Sequence, residues 1–340
     1  MSFNPNDPGT ADSNIFGLPY TTAEADLILL PIPWEATVSY GTGTALAPDA
    51  ILAASKQIDL YHPLLHEVWT RRMAMDEIPL DLLLKSNEVR IDAQEVIARI
   101  TAGETIDPLL HDSVNLATQQ MIAHVEQQAE KWLAQGKAIG GVGGDHSTPL
   151  GIFKALAKKQ SYGILQIDAH CDLRWAFEGF TYSHASIMYN ALEEIPAISS
   201  LIQVGIRDYC AEEVDYIANS KGRVKTFYDR DMQYDKLRGT NWHSICERII
   251  KTLPENVFIS FDIDGLTPDH CPGTGTPVPG GLLYAEAAYL IELVAQRKRI
   301  VGFDLNEVGP HDDSDWDANV GARVLFLLCC AYWISKERTN

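Results

Sequence analysis

Positive charge is what this sequence has least of. Its 340 residues carry 27 Lys and Arg against 46 Asp and Glu, a formal charge of −19 and a pI of about 4.8. Nucleic acids are held by basic surfaces, so that class of partner is excluded. An acidic protein suits a small cationic ligand instead. Long apolar runs are also scarce. The longest, Val324 to Ile334, falls well short of the roughly 20 residues that span a bilayer and reads as a buried core helix, with no membrane role. The opening stretch Met1-Ser2-Phe3-Asn4-Pro5-Asn6-Asp7-Pro8 has neither a basic start nor an apolar segment, so no secretory signal is expected there. The cysteines, at 171, 210, 246, 271, 329 and 330, form no CxxC pair. They fit reduced, packed thiols in a cytoplasmic protein, with Cys171 and Cys210 as small apolar fillers.

Internal repeats and low-complexity segments are absent too. Residues 1–25 are polar and rich in Pro, Gly and Asn, which predicts an N-terminal arm that wraps a neighbour or frays. Residues 26–340 then read as a single domain. Short apolar runs predict strands at Asp26–Ile32, Ala138–Val142, Tyr162–Ile167, Leu201–Val204, Val257–Phe261 and Ile300–Phe303. Helical spacing of apolar residues falls between most of them, over Ser113–Leu133, Pro149–Lys159 and Tyr284–Gln296. Buried strands alternating with helices imply an α/β fold, a three-layer αβα sandwich around a mainly parallel sheet.

In such sheets ligands bind beyond the carboxyl ends of the strands. The chemically loaded residues lie there: Asp145-His146, Asp168 to Asp172, Asp262 with Asp264, and Glu307. In Asp168-Ala169-His170-Cys171-Asp172, an extended chain would turn Asp168, His170 and Asp172 to one side. Asp262 and Asp264 would repeat the device. Acids and imidazoles crowded on one edge lose solvation and repel unless a cation joins them. Carboxylate oxygen with imidazole nitrogen suits Mn²⁺, Ni²⁺, Fe²⁺, Co²⁺ or Zn²⁺, and the lack of thiolates argues against structural zinc.

Gly143-Gly144-Asp145-His146-Ser147, Asp168-Ala169-His170-Cys171-Asp172 and Ser260-Phe261-Asp262-Ile263-Asp264, in this order, resemble the ureohydrolase family of arginases, agmatinases, guanidinobutyrases and formimidoylglutamases. The likeness runs from Pro31-Ile32-Pro33-Trp34 to Glu307. It implies a Rossmann-like eight-stranded parallel sheet, the arginase/deacetylase-like fold, and two divalent metal ions per chain. One ion would be held by His146, Asp168, Asp172 and Asp262, the other by Asp168, His170, Asp262 and Asp264, with Asp168 and Asp262 bridging. Two ions sharing a water lower its pKa toward neutrality, and the hydroxide so formed would attack a guanidino carbon to release urea. The resemblance gives Glu307 the role of gripping the planar guanidinium and His184 that of moving a proton to the leaving amine. It also implies a homo-oligomer, trimer or hexamer, with a hetero-oligomer as the variant.

The substrate end departs from arginase. The loop Leu173-Arg174-Trp175-Ala176-Phe177-Glu178-Gly179-Phe180 has no Asn or Ser, and Cys210 stands two residues after Asp208 where arginases place an acid. Arginine is therefore disfavoured. Trp175 and Phe177 offer aromatic faces for a compact cation, with Asp208 beside them. The segments Asn14–Tyr20 and Pro33–Gly41 resemble an agmatinase-like branch that includes nickel-dependent guanidine hydrolases, so Ni²⁺ stands beside Mn²⁺ as the expected metal. Thr267 replaces the Asp of most relatives. The expected activity is hydrolysis of guanidine, a substituted guanidine or a biguanide, with agmatinase or guanidinobutyrase as the alternative. A deacetylase-like amide hydrolase is disfavoured by the full two-metal set, and a structural or regulatory subunit of a mixed oligomer would be marked by lost ligands, of which there are none.

Overall fold

The computed structural model describes residues 3–311 and 313–338. The strands are β1 (Leu27–Ile32), β2 (Met73–Met75), β3 (Ala138–Gly143), β4 (Tyr162–Ile167), β5 (Ile198–Ile206), β6 (Val224–Tyr228), β7 (Asn256–Asp262) and β8 (Arg299–Asn306). They form one eight-stranded sheet in the order β2-β1-β3-β8-β7-β4-β5-β6. Every pairing is parallel, so all carboxyl ends share one rim. The helices are α1 (Ala47–Ser55), α2 (Leu80–Ala102), α3 (Pro108–Ala134), α4 (Leu150–Ala157), α5 (Ile187–Glu194), α6 (Ala211–Asn219), α7 (Asp229–Leu237), α8 (Trp242–Ile250), α9 (Tyr284–Arg297) and α10 (Trp316–Arg338).

Alternation along the strands feeds two cores. Leu27 and Leu29 of β1, with Val257 and Ile259 of β7, pack with Ile51, Ile249, Leu290 and Leu325 from α1, α8, α9 and α10. Ile28 and Phe258, turned the other way, pack with Val96, Met121, Phe153 and Met188 from α2 to α5. Three layers result. The Val324–Ile334 run sits inside α10, which is long and apolar enough to cross a membrane but has 83% of its most apolar window buried. It is a core helix.

The structure extends two sequence-derived elements. Asp107 caps α3 by accepting the Leu109 N–H, and Pro108 occupies the first turn, so this helix starts before the apolar periodicity does. Residues 1–25, expected as an arm, are tied down over their second half. Ile15, Phe16 and Leu18 are buried, Phe16 meets Phe326 edge-on at 5.2 Å, and Lys137 Nζ donates to the carbonyls of Thr22, Ala23 and Ala25.

Candidate metal centre

Two glycines bring β3 to the site. A Cβ on Gly143 would lie 2.0 Å from Asn306 Oδ1, and one on Gly144 would lie 2.0 Å from the Trp34 carbonyl oxygen. Only glycine lets the chain pass this closely before Asp145 and His146. Asp145 then accepts from the Ser147 N–H and hydroxyl, which fixes the turn that carries His146 inward.

His146 is 1% exposed. Its Nε2 contacts Ser260 Oγ at 2.9 Å, and Ser260 donates to Asp304, which leaves the Ser260 oxygen able to accept from a protonated Nε2. Nδ1 points at three carboxylates: Asp168 at 3.0 Å, Asp172 at 3.1 Å and Asp262 at 3.2 Å. It is buried and none of the three is aligned to bond with it. Nδ1 and three carboxylate oxygens converging without hydrogen bonds among them fit a cation at their centre.

His170 faces Asp264 at 3.1 Å and Asp168 at 3.6 Å. Asp168, His170 and Asp264 thus form a second ligand group beside His146, Asp168 and Asp262, and Asp168 belongs to both. All six residues expected as ligands come together. Their route there differs from the extended chain expected. β4 stops at Ile167, Asp172 has a left-handed φ of 54°, and Ile263–Gly265 is a 3-10 turn in which Asp262 accepts the Asp264 N–H. Strand alternation sets Asp168 and Asp262, while turns aim Asp172 and Asp264.

The electrostatics point the same way. Burial and the neighbouring Asp168 push Asp172 up to about 7. Burial, Asp264 and Asp168 raise Asp262 well above the usual carboxylate range. Burial opposes a charge on His170, but Asp264 and Asp168 outweigh it and push it up to about 12. Without ions the cluster holds protons that divalent cations would replace.

Glu307 is 4% exposed, and its Oε1 accepts the His146 N–H at 2.9 Å. Burial, with Asp145 adding to it, pushes its carboxyl up. A cavity of about 170 Å³ opens on the centre, lined by His170, Asp172, Phe177, His184, Asp208 and Tyr209 among others. His184 meets the Phe177 ring edge-on at 5.9 Å; burial and then His170 hold it down at about 3, hence neutral. Phe177 and Asp208 therefore reach the cavity as expected, Asp208 at its exposed rim. Trp175 does not: it is 66% exposed and turned to solvent, while the loop's inward aromatic positions are Phe177 and Phe180. Arg174, Ser39, Glu213 and Thr276 line the cavity without having been singled out in the sequence. Arg174 and Ser39 lay within the quoted segments Leu173–Phe180 and Pro33–Gly41, where nothing marked them out, and Thr276 arrives from the loop before α9. Thr267 is paired with His270 at 2.8 Å, away from the ligands' own contacts.

Comparison with known proteins agrees with this geometry. The chain belongs to the arginase family, whose model matches residues 25–330, and lies in its agmatinase-like branch. It is 30% identical to an N(1)-aminopropylagmatine ureohydrolase of Synechocystis over 93% of this chain and 92% of that one. Identity to the enzyme of the same description from Thermus thermophilus is 31%, covering 92% and 94%. Among solved structures, the agmatine ureohydrolase of Thermoplasma volcanium superposes with a TM-score of 0.72 at 23% identity, covering 97% of this chain and 98% of that one, which speaks for the fold. This protein is a ureohydrolase, an enzyme acting on linear amidines.

Proposed function

We propose that this enzyme hydrolyses a small guanidino compound, namely guanidine, a short substituted guanidine or a biguanide, to urea or a urea derivative and ammonia or an amine. The observation carrying this reading is the size of the cavity over the ligands, about 170 Å³, below the roughly 300 Å³ where drug-sized ligand sites begin. Phe177, Tyr209 and Arg174 stand around it, leaving little room for a long tail.

His146, Asp168, Asp172 and Asp262 would hold one ion, and Asp168, His170, Asp262 and Asp264 the other, Mn²⁺ or Ni²⁺. When bound, the pair supplies the positive charge that makes water nucleophilic near neutral pH. Glu307 orients the guanidinium by its planar edge. Phe177 and Tyr209 restrict its movement and exclude bulk water. A water oxygen bonds to the guanidino carbon, one C–N bond breaks, and the proton that this water gives up passes through His184, neutral between turnovers, to the departing nitrogen. Five of the six cysteines are buried and all are unpaired, in keeping with a cytoplasmic enzyme.

A second reading has its own support. Asp208 and Glu213 line the same cavity, and Asp208 has no ion-pair partner among the described residues. They suit the ammonium of an agmatine-like tail, in line with the aminopropylagmatine and agmatine named for the relatives. Guanidinobutyrate is a further candidate. A homo-oligomer, trimer or hexamer, is the expected assembly; a mixed oligomer with this chain in a structural role is the reading from another class. Urea release from guanidine, biguanides, agmatine, guanidinobutyrate and arginine, measured with Mn²⁺ and with Ni²⁺, separates these. Highest kcat/KM on guanidine or a short derivative is expected. No urea from any of them with metal bound would end the proposal, and a strong preference for agmatine would replace it with the second reading.

A further inference from the structure

The sheet carries a polar row one step beneath the metal ligands. Strand register sets Asp304 of β8 beside Ser260 of β7, Ser260 beside Gln166 of β4, Gln166 beside Gln203 of β5 and Gln203 beside Thr226 of β6. Two residues toward the rim, Asp168 and Asp262 follow on the same face. Two residues the other way stand Ile164, Phe258, Leu201 and Val224, all buried. Asp304, Ser260, Gln166 and Gln203 are themselves at most 1% exposed; Thr226 is half-buried on the outermost strand. A core that could have been apolar is polar along this one line.

Hydrogen bonds run along the row in a single direction. Thr226 Oγ1 donates to Gln203 Oε1 at 2.7 Å, Gln203 Nε2 to Gln166 Oε1 at 2.7 Å, and Gln166 Nε2 to Asp168 Oδ2 at 2.8 Å. Each amide oxygen is claimed from the outer side, so each NH₂ is turned toward the centre. The remaining amide protons hold the ligand loop: Gln203 donates to the Cys171 carbonyl and Gln166 to that of His170. From the other end, Asp304 takes the Ser260 proton and Ser260 takes that of His146 Nε2. The two arms meet at Asp168 Oδ2 and His146 Nδ1, 3.0 Å apart.

We propose that this row is a positioning network for the metal centre, in which the Thr226 hydroxyl sets the direction of the Gln203 and Gln166 amides and, through them, the metal affinity of Asp168. Thr226 touches neither ligand nor cavity and lies two strands, about 10 Å, from Gln166. Without its proton the Gln203 oxygen is left unpartnered and only the Cys171 and Gln166 acceptors still favour this orientation; a reversed Gln166 would aim a carbonyl oxygen at the Asp168 carboxylate.

The inference rests on the metal centre described above, and the test keeps the two apart. Full-length protein is stripped with chelator and titrated with Mn²⁺ by calorimetry, with metal content after dialysis and the melting temperature of the metal-free protein read in parallel. Gln166→Leu removes the direct partner of Asp168 and is expected to weaken binding about tenfold to a hundredfold, the usual effect of losing a residue that orients a ligand. Thr226→Val should weaken it about threefold to tenfold by the same effect at one remove, Thr226→Ser should restore it, and metal-free melting should stay put. Wild-type protein that takes up no Mn²⁺ would remove the centre itself. If the wild type binds and Thr226→Val binds equally tightly, the row alone is overturned. It is overturned as well if Thr226→Ser shares the loss, or if the loss follows a drop in metal-free melting.

Discussion

Glu307 and His146 hold each other across 161 residues of sequence through one bond, from the His146 N–H to Glu307 Oε1 at 2.9 Å. β3 and β8 are neighbours in the sheet, and each residue follows the end of its strand. Glu307 keeps this position with a left-handed φ of 61°, and its own N–H is returned to the Gly144 carbonyl at 2.8 Å. The carboxylate assigned to the guanidinium is thus fixed to the same turn that delivers a metal ligand.

Replacing Glu307 should therefore separate binding of metal from turnover. Glu307→Gln keeps an oxygen for the His146 N–H but loses the charge. Metal content should be that of the wild type while kcat/KM falls about 100-fold, the scale of losing one preorganised electrostatic partner. Wild-type kcat/KM in this variant would remove Glu307 from the reaction.

His170 faces Asp264 whereas Asp172 faces His146, so in the proposed centre they serve different ions. His170→Asn and Asp172→Asn should each lower metal content and weaken Mn²⁺ binding by more than about 100-fold, beyond the range for residues that only orient a ligand. Metal analysis beside urea release checks this, and either variant with full activity contradicts the assignment.

Asp304 gives a pH-dependent stability. Burial pushes it up to about 7, whereas in the unfolded chain it ionises near 3.9, the ordinary value of about that size for Asp. Between those values the unfolded chain releases the proton and the fold retains it, so the metal-free fold loses stability as pH rises through that window and little more above it. Asp304→Asn carries no such charge. Its metal-free form should melt higher than the wild type at pH 8 by about 2–4 °C for each kcal/mol recovered, and the gap should close toward pH 4. A gap that does not change with pH counts against it.

Phe177 limits the cavity. Phe177→Ala should raise kcat/KM for agmatine relative to guanidine about tenfold, the scale at which a change in pocket volume discriminates apolar length. Steady-state kinetics on the two substrates measures the ratio. An unchanged ratio would mean that another residue sets the length limit.

The central strands were legible because they are buried on both faces, as in Tyr162–Ile167, whose six residues are all buried. β6 was not, since only Val224 among its residues is buried and Lys225 is exposed, and β2 is three residues long. α2 escaped notice because Leu80, Leu84 and Ile91 are exposed and blur its apolar stripe. The six candidate ligands could be named because each lies in a compact motif at a strand end. Gln166, Gln203 and Thr226 could not, because none belongs to a motif within its own strand and only register aligns them. Trp175 was misplaced for a related reason: which loop aromatic turns inward depends on the turn at Phe177 and Phe180, not on composition.

The strand order also dictates when the centre can exist. β8 is the last strand to be synthesised, yet it lies between β3 and β7, separating the strand that leads to His146 from the one that leads to Asp262. The nascent chain can have all six ligands translated and still lack the spacer that sets them apart correctly. The ligand group of His146 therefore waits for the last strand, whereas Asp168, His170 and Asp264 follow β4 and β7, which pair directly and need no later strand to meet.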